Sequence, residues 1–162
     1  MNIILRQKSL NLERPNYSII NESGVIFSVK SRFLNFLEEK LDVIDEYNTM
    51  VACITQSLLS ITPKFKISIR QGNSFILSQK LSIYPKYKIR GSSYEIKGNV
   101  NKNFIINKDG KQTAQINIQI NSICSEYILE TQGNDDEVIE CICIVLAVDL
   151  AKKRVSRLQS RS

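Results

Sequence analysis

Residues 134–154, NDDEVIECICIVLAVDLAKKR, form the stretch that decides how the rest of the chain must fold. From Val138 to Ala151 the segment is apolar on every side, and only Glu140 and Asp149 carry a charge. Val, Ile and Cys favour strands, but the length of the segment and the signals at both ends favour a helix. A helix that is apolar all round has no face for solvent, so the remaining chain must enclose it.

The two ends of this segment carry residues that suit the ends of a helix. Asn134 can cap the first turn, and Glu137 completes a capping-box pattern. Acidic residues crowd the first turn and basic residues the last, as the helix dipole favours; this explains residues 135–137 better than a cation site does. We therefore predict a helix from Asp135 to about Lys153. Its roughly 11–14 apolar residues are fewer than the about 20 that a membrane span needs.

Length and composition predict one globular domain. The chain has 162 residues, of which 43% are hydrophobic, enough for a sizeable core. We predict a single domain over residues 1–155 and a basic, disordered tail over residues 156–162. Arg6 and Lys8 interrupt the early apolar patch, so no secretory signal is visible, and we expect a cytoplasmic protein.

Enzymatic chemistry has little support in the sequence. The chain contains no histidine, which removes the commonest general base and most zinc chemistry. It has no glycine-rich phosphate loop and no nucleophile elbow. We expect a non-enzymatic protein with no cofactor and no metal. For Asp149, a structural hydrogen-bonding role is favoured over an acid–base role.

The four cysteines lack the paired spacing of a zinc site. They are Cys53, Cys124, Cys141 and Cys143. We interpret them as buried free thiols in a reducing compartment. Disulfides or lipidation remain the alternatives.

A repeated pattern, Pro-x-aromatic-x-Ile, begins at each of the three prolines. Residues 59–67, LSITPKFKI, align with residues 81–89, LSIYPKYKI, at an offset of 22 from Leu59 to Leu81. More degenerate copies are each followed by a turn cluster; the clusters are residues 21–24, 45–48, 70–73, 90–93, 107–110 and 132–134. The unit is a strand, a tight turn and a second strand. Residues 31–40 could form one helical turn, but we interpret them as two strands around a turn at Asn35.

About twelve strands follow from six such units. Alternating apolar and polar residues, as in Gln115–Ile120, predict that one face of each strand lines a core. A barrel of this size has an interior wider than its own side chains can fill. The apolar helix supplies the missing volume. The predicted fold is mainly β, a closed antiparallel barrel that encloses a central hydrophobic C-terminal helix.

Several short motifs stand in the order and at the spacing that are typical of one protein family. They are YSIINESG at Tyr17–Gly24, FSVK at Phe27–Lys30, KLDVID at Lys40–Asp45, ACITQ at Ala52–Gln56 with LLS at Leu58–Ser60, IKGN at Ile96–Asn99 and IVLAVD at Ile144–Asp149. With these motifs the chain resembles the LURP-one-related family from Leu5 to about Asp149. Residues 31–40 depart from the family pattern, which tends to have a glycine before Asp-Lys.

The resemblance implies the tubby C-terminal-like fold, a twelve-stranded barrel threaded by a hydrophobic helix, with distant similarity to phospholipid scramblases. Tubby domains bind phosphoinositides through basic pockets, and scramblases act at bilayers. No motif in this chain matches the site residues of either group, so none is carried over. A shared fold does not by itself imply a shared function.

Charge is distributed unevenly along the chain. From Tyr47 to Tyr94 there is no Asp or Glu, and the seven cations in this window are Lys64, Lys66, Arg70, Lys80, Lys86, Lys88 and Arg90. Those in residues 64–70 and 86–90 are even-numbered and alternate with apolar residues, so we predict that they share the outer face of neighbouring hairpins. A strand bearing Lys80 between those rows would keep the patch continuous.

Such a patch attracts phosphate groups. We therefore hypothesise a binding or scaffold protein that holds anionic phospholipid headgroups, as a phosphoinositide-like ligand or a peripheral membrane surface. The alternatives are a solvated face that deters aggregation, a scramblase-like lipid transporter, and a module for nucleic acid or acidic proteins. Nucleic acid is disfavoured because most tyrosines occupy strand positions that are predicted to face the core, where they cannot stack on bases.

Overall fold

The computed structural model describes residues 1–8, 16–35, 37–120 and 125–161. Within these ranges the chain forms twelve strands followed by one helix. The strands are β1 (Asn2–Gln7), β2 (Tyr17–Asn21), β3 (Gly24–Asn35), β4 (Glu38–Asp45), β5 (Met50–Ser57), β6 (Lys64–Ile69), β7 (Ser74–Lys80), β8 (Lys86–Arg90), β9 (Tyr94–Gly98), β10 (Asn103–Lys108), β11 (Lys111–Ile120) and β12 (Ser125–Thr131), and the helix is α1 (Asp135–Ser160).

All strands belong to one antiparallel sheet in the order β8-β7-β6-β5-β4-β3-β2-β1-β12-β11-β10-β9. The first strand pairs with both β2 and β12, so it joins the two halves of the sheet. The edge strands β8 and β9 are consecutive in the chain but do not pair with each other. Strand β8 pairs with β7, and β9 pairs with β10. The mainly β, twelve-stranded antiparallel prediction is confirmed, but the barrel is nearly closed rather than closed, with a seam between β8 and β9.

Most of the predicted turn clusters lie at hairpins. Residues 21–24, 45–48, 70–73 and 107–110 connect or flank paired strands, and the positive φ values of Asn48, Gln71 and Asp109 are typical of tight turns. Residues 31–40 form two strands, β3 ending at Asn35 and β4 beginning at Glu38, as predicted. Residues 132–134 instead lead from β12 into the helix, and residues 90–93 connect β8 to β9, which do not pair, so neither of these clusters makes a hairpin.

The helix begins as predicted but ends later. The Asn134 side chain accepts a hydrogen bond from the backbone N–H of Glu137 (3.0 Å). The Glu137 side chain accepts one from the backbone N–H of Asn134 (3.2 Å), which completes the capping box. The helix continues past Lys153 to Ser160, so the expected disordered tail is helical over residues 156–160. Residues 154–160 contain no Gly or Pro, and Arg157 in the last turn suits the helix dipole.

The core lies between the helix and the inner face of the sheet. Every helical residue from Glu140 to Ala151 is buried, as the enclosed-helix prediction requires. Strand β6 shows the predicted alternation, with Phe65 and Ile67 fully buried. In β11 the alternation fades along the strand: Ala114 and Ile116 are buried, whereas Ile120 is 77% exposed.

Candidate functional site

Six of the predicted cations lie on the outer face of β6, β7 and β8, and the seventh, Arg70, directly follows β6. All seven side chains are exposed. We call this set the basic face; it consists of Lys64, Lys66, Arg70, Lys80, Lys86, Lys88 and Arg90. As predicted, the strand that carries Lys80 lies between the two Pro-Lys strands.

The strand register sets six of these cations, all but Arg70, in rows across the three strands. Lys80 pairs directly with Lys86. Ser78 lies between Lys64 on one side and Lys88 on the other. Ile76 lies between Lys66 and Arg90 in the same way. Neighbouring strands are about 4.8 Å apart, so the rows form one continuous patch of positive charge.

No carboxylate neutralises this patch within the described ranges. The ion pairs found there all involve other cations: Arg6, Arg32, Lys97, Lys108 and Lys153. Like charges directly opposite each other in a sheet destabilise it, as Lys80 and Lys86 do here. The basic face therefore carries an electrostatic cost that an anionic ligand would relieve.

Two loops beside the basic face expose large apolar side chains that the sequence reasoning did not single out. In the loop of residues 58–63, Leu59 is 73% and Ile61 is 92% exposed. In the loop of residues 81–85, Leu81, Ile83 and Tyr84 are 86%, 94% and 74% exposed. A signal was present in the repeated Leu-Ser-Ile before each Pro-Lys, because proline ends the preceding segment and places that triplet in the connection.

The seam between β8 and β9 opens a cleft next to these loops. It has a volume of about 570 Å³ and is lined by Tyr84, Pro85, Lys86 and residues 98–101. Gly98 has a φ of +104°, and a Cβ there would lie 2.9 Å from the Asn103 carbonyl oxygen. Glycine at this position therefore allows β9 and the start of β10 to approach closely.

Asp149 is held inside the barrel by partners from three elements. Its carboxylate accepts hydrogen bonds from the hydroxyls of Tyr17 (2.5 Å) and Tyr127 (2.7 Å) and from Nζ of Lys153 (2.5 Å). The structural hydrogen-bonding role predicted for Asp149 agrees with these contacts. The two tyrosines were missed as partners. Burial, followed by the charge of Asp149, raises the pKa of both tyrosines well above the ordinary value.

A second buried carboxylate anchors the other end of the helix. Glu140 accepts hydrogen bonds from the Tyr94 hydroxyl (2.5 Å) and from Nζ of Lys108 (3.2 Å). Burial and the bond to Glu140 raise the pKa of Tyr94. Burial lowers the pKa of Lys108, but the nearby Glu140 and Glu137 carboxylates outweigh it, so that the pKa is raised. The paired charges make these groups structural anchors rather than reactive ones.

The described cysteines show no sign of reactivity. Cys141 and Cys143 are buried free thiols as predicted, whereas Cys53 is a free thiol that is only half-buried, and Cys124 lies outside the described residues. Burial raises the pKa of Cys141 to about 12 and raises that of Cys143 as well, so both disfavour the thiolate that reacts or binds metal. Within the part of the chain that the structure describes, no group of three or more metal-binding side chains is found.

The chain matches the LURP-one-related family model over residues 1–147, and it belongs to that family. It is also similar to the uncharacterized protein YxjI of Bacillus subtilis (strain 168), with 23% identity over 150 residues that cover 91% of each chain. No solved structure is significantly similar to it. Within the described ranges, no helix is both long enough and apolar enough to cross a membrane.

Proposed function

We propose that this protein is a non-enzymatic binding protein that holds anionic phospholipid headgroups on its basic face. The observation that carries the proposal is the set of seven exposed cations, six of them in rows set by the strand register, without a carboxylate partner among the described residues. In the cell it would associate peripherally with the anionic cytoplasmic leaflet of a membrane.

The geometry suits an extended anionic surface better than a single small ligand. The cations lie on a three-strand face rather than at the bottom of a pocket, so several phosphates can be contacted at once. Each Lys or Arg near an anionic membrane contributes about 1 kcal/mol, and this attraction falls off within a screening length. Several such contacts are sufficient for reversible peripheral binding.

Vesicle sedimentation tests the proposal. We expect the protein to sediment with phosphatidylcholine vesicles that contain phosphatidylserine, and not with phosphatidylcholine alone. Raising NaCl from about 0.1 M to about 1 M shortens the screening length from about 10 Å to about 3 Å and should release the protein. The double variant Lys64→Glu with Lys86→Glu should bind at least about tenfold more weakly.

A matched control separates local from overall charge. The control variant Lys30→Glu with Lys111→Glu has the same net charge as the test variant. Each substitution lowers the charge by two units, so both variants go from +6 to +2. Both control lysines are exposed and lie on β3 and β11, away from β6–β8. Equal losses for the two double variants, or no binding by the parent protein, would refute the basic face as a headgroup site.

The same preparation distinguishes the alternative functions. A scramblase-like transporter would move fluorescent lipid between leaflets of the vesicles. A nucleic-acid module would shift single-stranded RNA in a gel, and an acidic-protein module would bind polyglutamate, in each case with loss in the Lys64→Glu, Lys86→Glu variant. A face that serves only solubility would do none of these, and the protein would stay in the supernatant when the vesicles are sedimented.

A further inference from the structure

The two exposed apolar loops leave the sheet at the same end. The loop of residues 58–63 leads into β6, and the loop of residues 81–85 leads out of β7. The backbone N–H of Gln79 donates a hydrogen bond to the Pro63 carbonyl (2.9 Å), which ties the two loops together where they meet the sheet. We call residues 58–63 and 81–85 together the apolar tip.

The first loop of the tip, residues 58–63, is braced from within by hydrogen bonds to its backbone. The Arg154 guanidinium donates hydrogen bonds to the carbonyls of Ser57 (3.1 Å), Leu58 (3.4 Å) and Ser60. The Ser60 hydroxyl donates to the carbonyl of Thr62 (2.8 Å). Three carbonyls of this loop, those of Leu58, Ser60 and Thr62, are thus hydrogen-bonded within the protein, which lowers the cost of moving the loop into an apolar environment.

Cations stand directly beside the apolar residues. Lys64 follows the first loop, while Lys80 and Lys86 flank the second, and all three are exposed. An apolar protrusion surrounded by lysines matches the two layers of an anionic bilayer, a hydrocarbon interior and a charged headgroup zone. Scattered exposed apolar residues are ordinary, but a contiguous group of this kind marks an interaction site.

We propose that the apolar tip inserts into the interfacial region of an anionic bilayer while the basic face binds the headgroups. This inference rests on the proposed function, because the cations bring the tip to the membrane. Leu59, Ile61, Leu81, Ile83 and Tyr84 enter the boundary between headgroups and acyl chains. The lysines beside them remain at the level of the phosphates.

A single tryptophan can report insertion because the natural chain contains none. In the Tyr84→Trp variant we expect the emission to shift to shorter wavelength on adding phosphatidylserine-containing vesicles, and to be quenched by brominated acyl chains. Tyr47→Trp is the matched control. Tyr47 is similarly exposed, at 79%, but lies in the β4–β5 turn, at the opposite end of β5 from the tip, and its emission should not change.

The outcomes separate insertion from headgroup binding. If the Tyr84→Trp variant sediments with vesicles while its tryptophan emission stays unchanged, the tip does not insert, and headgroup binding stands alone. If the parent protein does not sediment, both proposals fail. A shift of the Tyr84→Trp emission with protein concentration in the absence of vesicles would make the tip a contact between copies of the chain and would overturn insertion.

A second variant tests how much the tip contributes. Ile61→Ser with Ile83→Ser changes only exposed side chains, so we expect the fold to be retained. Binding to anionic vesicles at low salt should fall at least about tenfold, and the binding that remains should be removed completely by high salt. Unchanged affinity in this variant would contradict insertion.

Discussion

The Tyr17 hydroxyl donates a hydrogen bond to the buried carboxylate of Asp149 across 2.5 Å, between residues 132 positions apart in the chain. This bond links the second strand of the sheet to the enclosed helix. Nζ of Lys153 lies 2.9 Å from the same hydroxyl and 2.5 Å from the carboxylate. The Asp149–Lys153 contact lies within the helix, but a sliding or rotating helix would break both contacts to Tyr17, so these two bonds fix the position of the helix in the barrel.

Removing the Tyr17 hydroxyl should therefore destabilise the fold. In Tyr17→Phe the carboxylate of Asp149 and the Lys153 ammonium each lose a buried partner, and we expect the free energy of unfolding to fall by about 1–3 kcal/mol. Urea denaturation followed by circular dichroism measures this. Tyr47→Phe, at an exposed turn, should change it by less than about 0.5 kcal/mol; equal effects would show that the hydrogen bond contributes nothing.

Breaking the Asp149–Lys153 pair should cost more than replacing it. Asp149→Asn leaves the Lys153 charge largely buried beside an uncharged amide, and we expect a loss of about 3–5 kcal/mol in unfolding free energy. Asp149→Leu together with Lys153→Met removes both charges and should recover much of that loss. The exposed pair of Glu95 and Lys97 is the comparison, where Glu95→Gln should cost less than about 1 kcal/mol.

The sequence predicted the helix, the strand number and the basic face because each depends on local pattern. The capping residues Asn134 and Glu137 and the alternation in β6 are readable within a few positions. The partners of Asp149 are not, because they depend on how deep the helix lies in the barrel. Tyr17 and Tyr127 could be predicted as core residues, but not as neighbours of one carboxylate.

The apolar tip was missed for a different physical reason. Leu59, Ile61, Leu81 and Ile83 have the residue types and the spacing of buried strand positions. The strand bounds place them in connections beyond β5 and β7, where the proline after each triplet was the local signal. The helix end was misplaced similarly, since basic residues at 152–154 are typical of a last turn, yet nothing in residues 155–160 stops the helix from continuing.

Lys152 should make stability depend on pH. Burial lowers its pKa from 10.5 to about 8, partly opposed by Asp149. Between these values the unfolded chain binds a proton that the folded chain does not, so the Lys152 contribution to the unfolding free energy rises with pH. Below about pH 8 the charged lysine is penalised fully.

The variant Lys152→Met removes this penalty. We expect it to be more stable than the parent protein by roughly 1 kcal/mol at pH 7, after allowing for partial solvent exposure. The difference should shrink as pH rises from about 8 toward 10.5. Measuring the difference, rather than either curve, cancels the ionisation of tyrosines and cysteines. A difference that does not vary over this range would show that Lys152 is not desolvated.

Substitution by alanine should have different effects at two glycines that have similar φ values. Gly24 and Gly98 have φ values of +122° and +104°, which disfavour any L-residue by about 1–2 kcal/mol. An added Cβ at Gly24 meets nothing within 4 Å, whereas at Gly98 it lies 2.9 Å from the Asn103 carbonyl oxygen and 3.1 Å from the Phe104 Cα. Gly98→Ala should therefore cost clearly more than Gly24→Ala in urea denaturation; equal costs would place β9 farther from β10.

The helical thiols should report whether the helix stays enclosed. Cys141 and Cys143 are 0% exposed, and burial raises the pKa of both, to about 12 for Cys141. A thiol reagent needs both access and thiolate, so in a Cys53→Ser, Cys124→Ser variant we expect no reaction with dithiobis(nitrobenzoate) at pH 8 in the native state. Both thiols should react after unfolding in guanidinium chloride. Rapid native labelling would mean that the barrel opens readily around the helix, most directly at the seam between β8 and β9, because among the described strands only these two neighbours lack a ladder of hydrogen bonds between them.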